Sequence, residues 1–540
     1  MAVRWPRYPL VYEINTRVWL RELSARHRRT VTLATVPPEE TAPIAALGFD
    51  AVWLMGVWAT GPEAVWVARH DGRMQAEYDR ALPDGTDADI IGSPYAVSRY
   101  EVAEEIGGPG GLQVIRARLA AQGMRVILDF VPNHTARDHR LVRERPDAFV
   151  LGTAEDLVRD PASFFRSRDG TIVAHGRDPF FPAWTDTAQV NHASGAGRGA
   201  LLQILLRIAA QCDGLRCDMA MLVLPDVFAR TWAGRLGPDP ERGSFWKEAI
   251  PAVLALHPRF LFLAEAYWGM EDPLHEAGFH FSYDKELYDL LENRDAPGVR
   301  RHLRRPASFQ DRCARFIENH DEPRAVTAFG PLTRAAAVTT FCAPGLHLFH
   351  EGQLEGRRVR VPVQLARRPA EPVDEELRTF YERLLAVLQQ PIFKEGVFQP
   401  VDVQQAGPED HTNDRMVAAT WRTARDAGTR TFLAVSNLAE TKGYARIPLD
   451  ATRFQAGRLY RVLDHVDGRT YERDGAEIEL ASRGVRHAPV GSIDRLRERV
   501  DRRDVGGSVD VSPCEVRPSP QPISSTSFAS RSARSNSAPV

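Results

Sequence analysis

Five cysteines stand in 540 residues: Cys212, Cys217, Cys313, Cys342 and Cys514. Their number is odd and none share a CxxC pair, which argues against a disulfide framework or a metal knuckle and for a reducing compartment. There is no charge excess either. The 69 Lys and Arg against 71 Asp and Glu leave −2, which gives no electrostatic case for nucleic acid or an anionic membrane as partner. The opening MAVRWPRYPL has no apolar signal core, and no apolar run approaches the ~20 residues of a membrane helix. The expectation is a cytoplasmic protein. The glycines of GGPGG at 107–111 are not followed by GK[ST], so they mark a helix entry and not a phosphate loop.

What is present is a large apolar supply, 43% of residues, with ten Trp and twelve Tyr, enough for a sizeable core and for stacking on sugar rings. Apolar strand-like runs recur at 11–19, 49–56, 125–134, 212–218, 260–265, 279–284, 314–321 and 345–352. Helical spacing lies between several of them, at 111–122, 198–211, 245–256 and 333–341. Such alternation predicts an α/β fold, a (β/α)8 TIM barrel. Residues 1–134 would form its first part and 192–390 its second. Between them, 135–191 has no clear period and is long for a loop, so it reads as an inserted subdomain after strand 3. Short alternating runs over 391–495 predict a C-terminal antiparallel β-sandwich, and the Ser-, Arg- and Pro-rich 496–540 has the composition of a disordered tail. The final runs, from AEIELA at 476–481 onward, are weak. They leave open either an ordinary sandwich or one with an unpaired edge.

Polar residues gather where the barrel strands end. Asp129, Asn133, His134, Arg216, Asp218, Glu265, Asn319, His320 and Asp321 all fall at or just past C-terminal strand ends, the rim where barrel enzymes place their chemistry. Arg216 and Asp218 stand two apart on a strand and so face one way. The arginine would keep the aspartate ionised, as a nucleophile requires. Glu265 follows the apolar FLFLA, where desolvation would keep it protonated, as a general acid requires. Asp321 and the two histidines can hold sugar hydroxyls. Three acids from three strands suggest a glycosidase.

The stretches DFVPNH, GLRCD, AE at 264–265 and NHD at 319–321 resemble, in order, the four signature regions of the α-amylase family, glycoside hydrolase family 13. The resemblance covers roughly residues 8–490. It implies retaining chemistry on α-glucosidic bonds of starch- or glycogen-like oligosaccharides through a covalent glycosyl-enzyme. It further implies Asp218 as nucleophile, Glu265 as acid/base and Asp321 as transition-state stabiliser. Arg216, His134 and His320 take the places of substrate-binding partners, and Tyr95 in GSPYAVSRY that of the stacking tyrosine. Asp129 and Asn319 complete the expected substrate-binding set.

Departures bear on metal and substrate. Met221 and Leu222 replace the Lys-His pair that follows the nucleophile in many amylases. Gln189 in TAQVN stands where a calcium-binding aspartate often lies, and Asn133 alone offers one neutral oxygen. The expectation is therefore an enzyme without cofactor, calcium being disfavoured. Ala96 after Tyr95 weakens an exo-glucosidase reading. Transglycosylation or maltose–trehalose isomerisation shares the first chemical step, with Tyr267 and Trp268 as candidate acceptor-side residues. A non-catalytic carbohydrate-binding barrel would have lost one of the three acids, and none is lost here.

Overall fold

Eight parallel strands close into a barrel in the order β1-β8-β7-β6-β5-β4-β3-β2. They are β1 Leu10–Asn15, β2 Ala51–Met55, β3 Arg125–Phe130, β4 Gly214–Cys217, β5 Leu261–Ala264, β6 Phe281–Tyr283, β7 Cys313–Arg315 and β8 Leu346–His350. The computed structural model describes residues 5–495, except 237–242, 424–430, 449–453, 455–456, 467, 475–481 and 486–489. Strands such as β2 (AVWLM) and β8 (LHLFH) are buried at every position, because helices cover the outside while side chains fill the inside. The covering helices show the matching period. In Gly195–Ala209, capped by Ser194, residues Leu201, Ile204, Leu205 and Ile208 form one buried stripe. The fold is the (β/α)8 barrel that the alternation predicts.

The strands are shorter than their apolar runs, for local reasons. The run at 11–19 stops at Asn15, whose side chain accepts from the Val18 amide and starts the helix Thr16–His27. The run at 314–321 is strand only through Arg315, after which Phe316 and Ile317 stay buried in a loop. The stretch after β2 holds two helices, Pro62–His70 and Gly72–Ala81.

Between β3 and the helix Gly195–Ala209 the chain builds a small unit of its own. Its entry strand His134–Ala136 pairs antiparallel with its exit strand Thr187–Gln189, and Phe164–Arg166 pairs with Ile172–Ala174. The entry and exit therefore meet directly above the end of β3.

After β8 two antiparallel sheets follow. The larger has the order β9-β11-β12-β17-β14-β15, made of Val397–Val401, Met416–Arg422, Thr431–Asn437, Val490–Arg495, Leu459–Asp464 and Thr470–Asp474. The smaller, β10-β13-β16, joins Gln404–Gln405, Gly443–Arg446 and Ser482–Val485. The run AEIELA and the tail from 496 lie outside the described residues. The last described strand is not an unpaired edge: β17 sits inside the larger sheet, bonded to β12 on one side and β14 on the other. Trp421 on β11 locks this layer to the barrel, its Nε1 donating to the Cys342 carbonyl at 2.6 Å while its ring packs on Phe393 and Tyr8. Among the described residues no helix is long and apolar enough to cross a membrane.

Candidate active site

The C-terminal rim of the barrel is organised around one guanidinium. Arg216, on β4 opposite Asp129 of β3 and Leu263 of β5, is fully buried. Its Nη1 donates to Asp218 Oδ1 at 2.6 Å, and its Nη2 lies 2.7 Å from Glu265 Oε1 and 3.9 Å from Asp321 Oδ2. The rings of Trp53, Tyr95 and Tyr283 surround it at 5.3–5.7 Å. Three acids, one just past β4, one just past β5 and one in the loop after β7, thus converge on a single charge.

Backbone geometry fixes two of them. Met219, directly after Asp218, has φ +42, a left-handed conformation uncommon outside glycine. This turn points its amide at Glu265, donating to Oε2 at 2.5 Å. Trp246 steadies the same loop by donating to the Ala220 carbonyl. The other oxygen of Glu265 accepts from the Tyr267 hydroxyl at 3.1 Å. Burial at 2% exposure pushes the Glu265 carboxyl up to about 8; Arg216 and the Met219 amide oppose this, while Asp218 and Asp321 add to it.

Asp321 shares His320 with Glu13 of β1. His320 Nε2 lies 2.9 Å from Asp321 Oδ2 and 2.8 Å from the Tyr95 hydroxyl, and its Nδ1 lies 2.5 Å from Glu13 Oε1 on β1. Burial disfavours the imidazolium, but these two carboxylates hold His320 protonated well above the usual histidine range. Desolvation pushes Asp321 up, yet His320, Arg216 and Arg360 outweigh it and hold the carboxyl at about 2. Tyr95 stacks on the His320 ring with its face toward Arg216.

Two expected binding residues, Asp129 and Asn319, are taken up by bonds within the protein. Asp129 accepts from Trp53 Nε1 at 3.1 Å and from the Gly56 amide at 2.8 Å, and burial pushes it up to about 6. Gly56 has φ +77, which brings that amide within reach. Asn319 is fully buried, and its Oδ1 caps the amides of Asp321 and Glu322, shaping the loop that carries the acid. His134 is buried against Trp184 beside Asp218 and the Tyr95 backbone; desolvation pushes it down to about 4, a neutral imidazole, although Asp218 and the Tyr95 backbone oppose this. Of the nine expected side chains, Arg216, Asp218, Glu265, His320, Asp321 and Tyr95 form one connected set, with His134 beside Asp218 and Tyr95.

Two further residues at the site, Glu13 and Phe180, stand outside the signature stretches. Glu13 carried a signal: an acid within an apolar strand must find a partner inside. Phe180 carried none, being one aromatic in an irregular stretch. It lies on the inserted unit and meets Trp268 edge-on at 4.8 Å, with both rings partly exposed beside the loop that follows Glu265. Trp268 also holds a left-handed backbone, φ +60.

The calcium that the family resemblance implies would need the oxygens around Asn133, and the residues present do not fit it. The Gln189 side-chain nitrogen already donates to the Asn133 carbonyl at 2.8 Å, to Asn133 Oδ1 at 3.0 Å and to the Val190 carbonyl at 3.1 Å. A hard dication takes six or more oxygens, carboxylates among them. Among the described residues no group of three or more His, Cys, Asp or Glu is placed to hold a metal ion.

A family model described as alpha amylase, catalytic domain, matches residues 42–437. The alpha-amylase MalA of Haloarcula japonica is 26% identical over 444 residues, covering 79% of this chain and 55% of that protein. The chain thus spans about half the length of that curated relative. An alpha-amylase crystal structure from Lactobacillus plantarum aligns with a TM-score of 0.61 at 20% identity, over 91% of this chain and 99% of that one. The noncanonic maltogenic alpha-amylase AmyB from Thermotoga neapolitana aligns at 0.63 and 19%, with the same coverage of 91% and 99%. At these identities the structural likeness is one of fold.

Proposed function

This chain belongs to the alpha-amylase family, and from that premise we propose that it cleaves α-glucosidic bonds of starch- or glycogen-like oligosaccharides with retention. The observation that carries the reading is the sharing of Arg216 by Asp218 and Glu265. Two carboxyl groups on neighbouring nitrogens of one guanidinium suit the short separation of a retaining pair, about 5–5.5 Å, better than the about 6.5–9.5 Å of an inverting one.

In the first step Asp218 attacks the anomeric carbon while Glu265 gives its proton to the glycosidic oxygen. That breaks the bond and leaves the sugar esterified to Asp218. Burial supports the acid role of Glu265, since its carboxyl keeps a proton at neutral pH. In the second step the ionised Glu265 takes a proton from water, which attacks the same carbon and frees Asp218. Asp321, held ionised by His320, accepts from sugar hydroxyls, a grip that strengthens as the ring flattens. Tyr95 offers the stacking face.

Transfer to a sugar acceptor is a second reading, favoured by the Phe180–Trp268 pair beside the loop of the acid/base. Exposed aromatic faces there suit an acceptor sugar competing with water. Product analysis after incubation with maltoheptaose separates the two. Only shorter sugars mean hydrolysis, and longer ones alongside shorter ones mean transfer. Unchanged maltoheptaose, maltose and glycogen would refute both.

A further inference from the structure

We infer that the Gln189 carboxamide takes the place of a bound cation, so that the joint between the barrel and the inserted unit is independent of metal. The joint is where the end of β3 meets the exit of the insertion. Asn133 follows β3, and Gln189 is the last residue of the strand Thr187–Gln189, directly paired with His134. Three oxygens converge there, the Asn133 carbonyl, Asn133 Oδ1 and the Val190 carbonyl, and the one Gln189 nitrogen serves all three at 2.8–3.1 Å.

The chemistry fixes which end of the amide points inward. The opposite orientation would set a carbonyl oxygen against three acceptors, while the observed one leaves Gln189 Oε1 free to accept from the Arg177 amide at 3.4 Å. Gln189 is fully buried and Asn133 nearly so, so none of these groups has water as an alternative. The Asn133 carbonyl already accepts a second proton, from the Val190 amide at 3.1 Å, which fills both its lone pairs. A cation entering here would have to expel the Gln189 carboxamide and break its bonds to Asn133, Val190 and Arg177. It would gain in return three neutral oxygens and no carboxylate. One side chain of the chain itself thus ties β3 to the insertion that overhangs the rim.

The test is hydrogen exchange by mass spectrometry on the full-length protein, read on peptides covering residues 131–194. In the unmodified protein, exchange in 5 mM calcium chloride should match exchange in 5 mM EDTA. In Gln189→Leu, of similar size but without the donor, these peptides should exchange about tenfold faster or more, equally in both buffers. Protection that rises with calcium in the unmodified protein overturns the inference, as does a leucine variant that exchanges like its parent. The unmodified arm stands even if the variant does not accumulate.

Discussion

The Glu13 carboxylate on β1 lies 2.5 Å from Nδ1 of His320 in the loop after β7, a contact between residues 307 apart in the chain. With Nδ1 held by Glu13, the opposite nitrogen is aimed at Asp321 and Tyr95. Glu13→Gln removes the charge but keeps the shape. It should lower kcat/KM about tenfold to a hundredfold, the worth of one charge-assisted hydrogen bond of about 1.5–3 kcal/mol. The His320 titration followed by NMR should move down with it. An unchanged titration would show that Glu13 does not set the charge of this histidine.

Glu265 should write the alkaline limb of the pH profile. As general acid it works protonated, and its carboxyl stands at about 8, so kcat/KM should hold through neutral pH and fall as pH rises past that value. The limb should vanish in Glu265→Gln assayed on a glucosyl fluoride, whose leaving group needs no proton. A limb that persists there belongs to another group.

Asp218→Asn should lose on the order of 10⁴-fold or more in kcat, as removal of a nucleophile does. A fluorinated glycosyl fluoride that slows the second step should leave a sugar adduct on Asp218, visible by peptide mass spectrometry. An adduct on another residue would make that residue the nucleophile, and none under conditions of turnover argues for a different stereochemical course.

Trp268→Ala and Phe180→Ala should change products more than rate. If this pair receives the acceptor, each loses stacking worth about 0.5–1.5 kcal/mol, and the ratio of transfer to hydrolysis should drop a few-fold while maltoheptaose consumption changes little. The ratio is read by chromatography at high substrate. A ratio unmoved in both variants places acceptor binding elsewhere.

Trp421→Ala tests the joint between barrel and sandwich. Emptying this buried site should cost about 3–5 kcal/mol, seen as a lower denaturant midpoint. Initial rates at low temperature should stay near those of the parent, since Trp421 packs on Phe393 and Tyr8, away from the rim acids.

The legible parts of this molecule were those written in local pattern. Parallel strands buried on both faces announce themselves as apolar runs, and rim acids announce themselves by ending those runs, which is why Asp218 and Glu265 are legible in the sequence as rim residues. What stayed hidden depends on partners far off in sequence. Asp129 looks like any rim acid, and only Trp53 and Gly56 reveal that it faces inward. Asn319 looks like a ligand to substrate, and only the loop it caps gives it another task. Phe180 acquires meaning only from Trp268, which lies far along the sequence on another loop.

The position of β17 bears on how the protein is made. It is the last of the described strands to leave the ribosome, yet it separates β12 from β14 in the larger sheet. Until it arrives, the β14–β15 hairpin has no neighbour in that sheet and β12 keeps a bare flank. A chain stopped at residue 489 would lack the middle of the sheet and not its margin. Translation that halts late should therefore yield a finished barrel bearing two adhesive half-sheets, a natural substrate for proteases and a natural seed for aggregation.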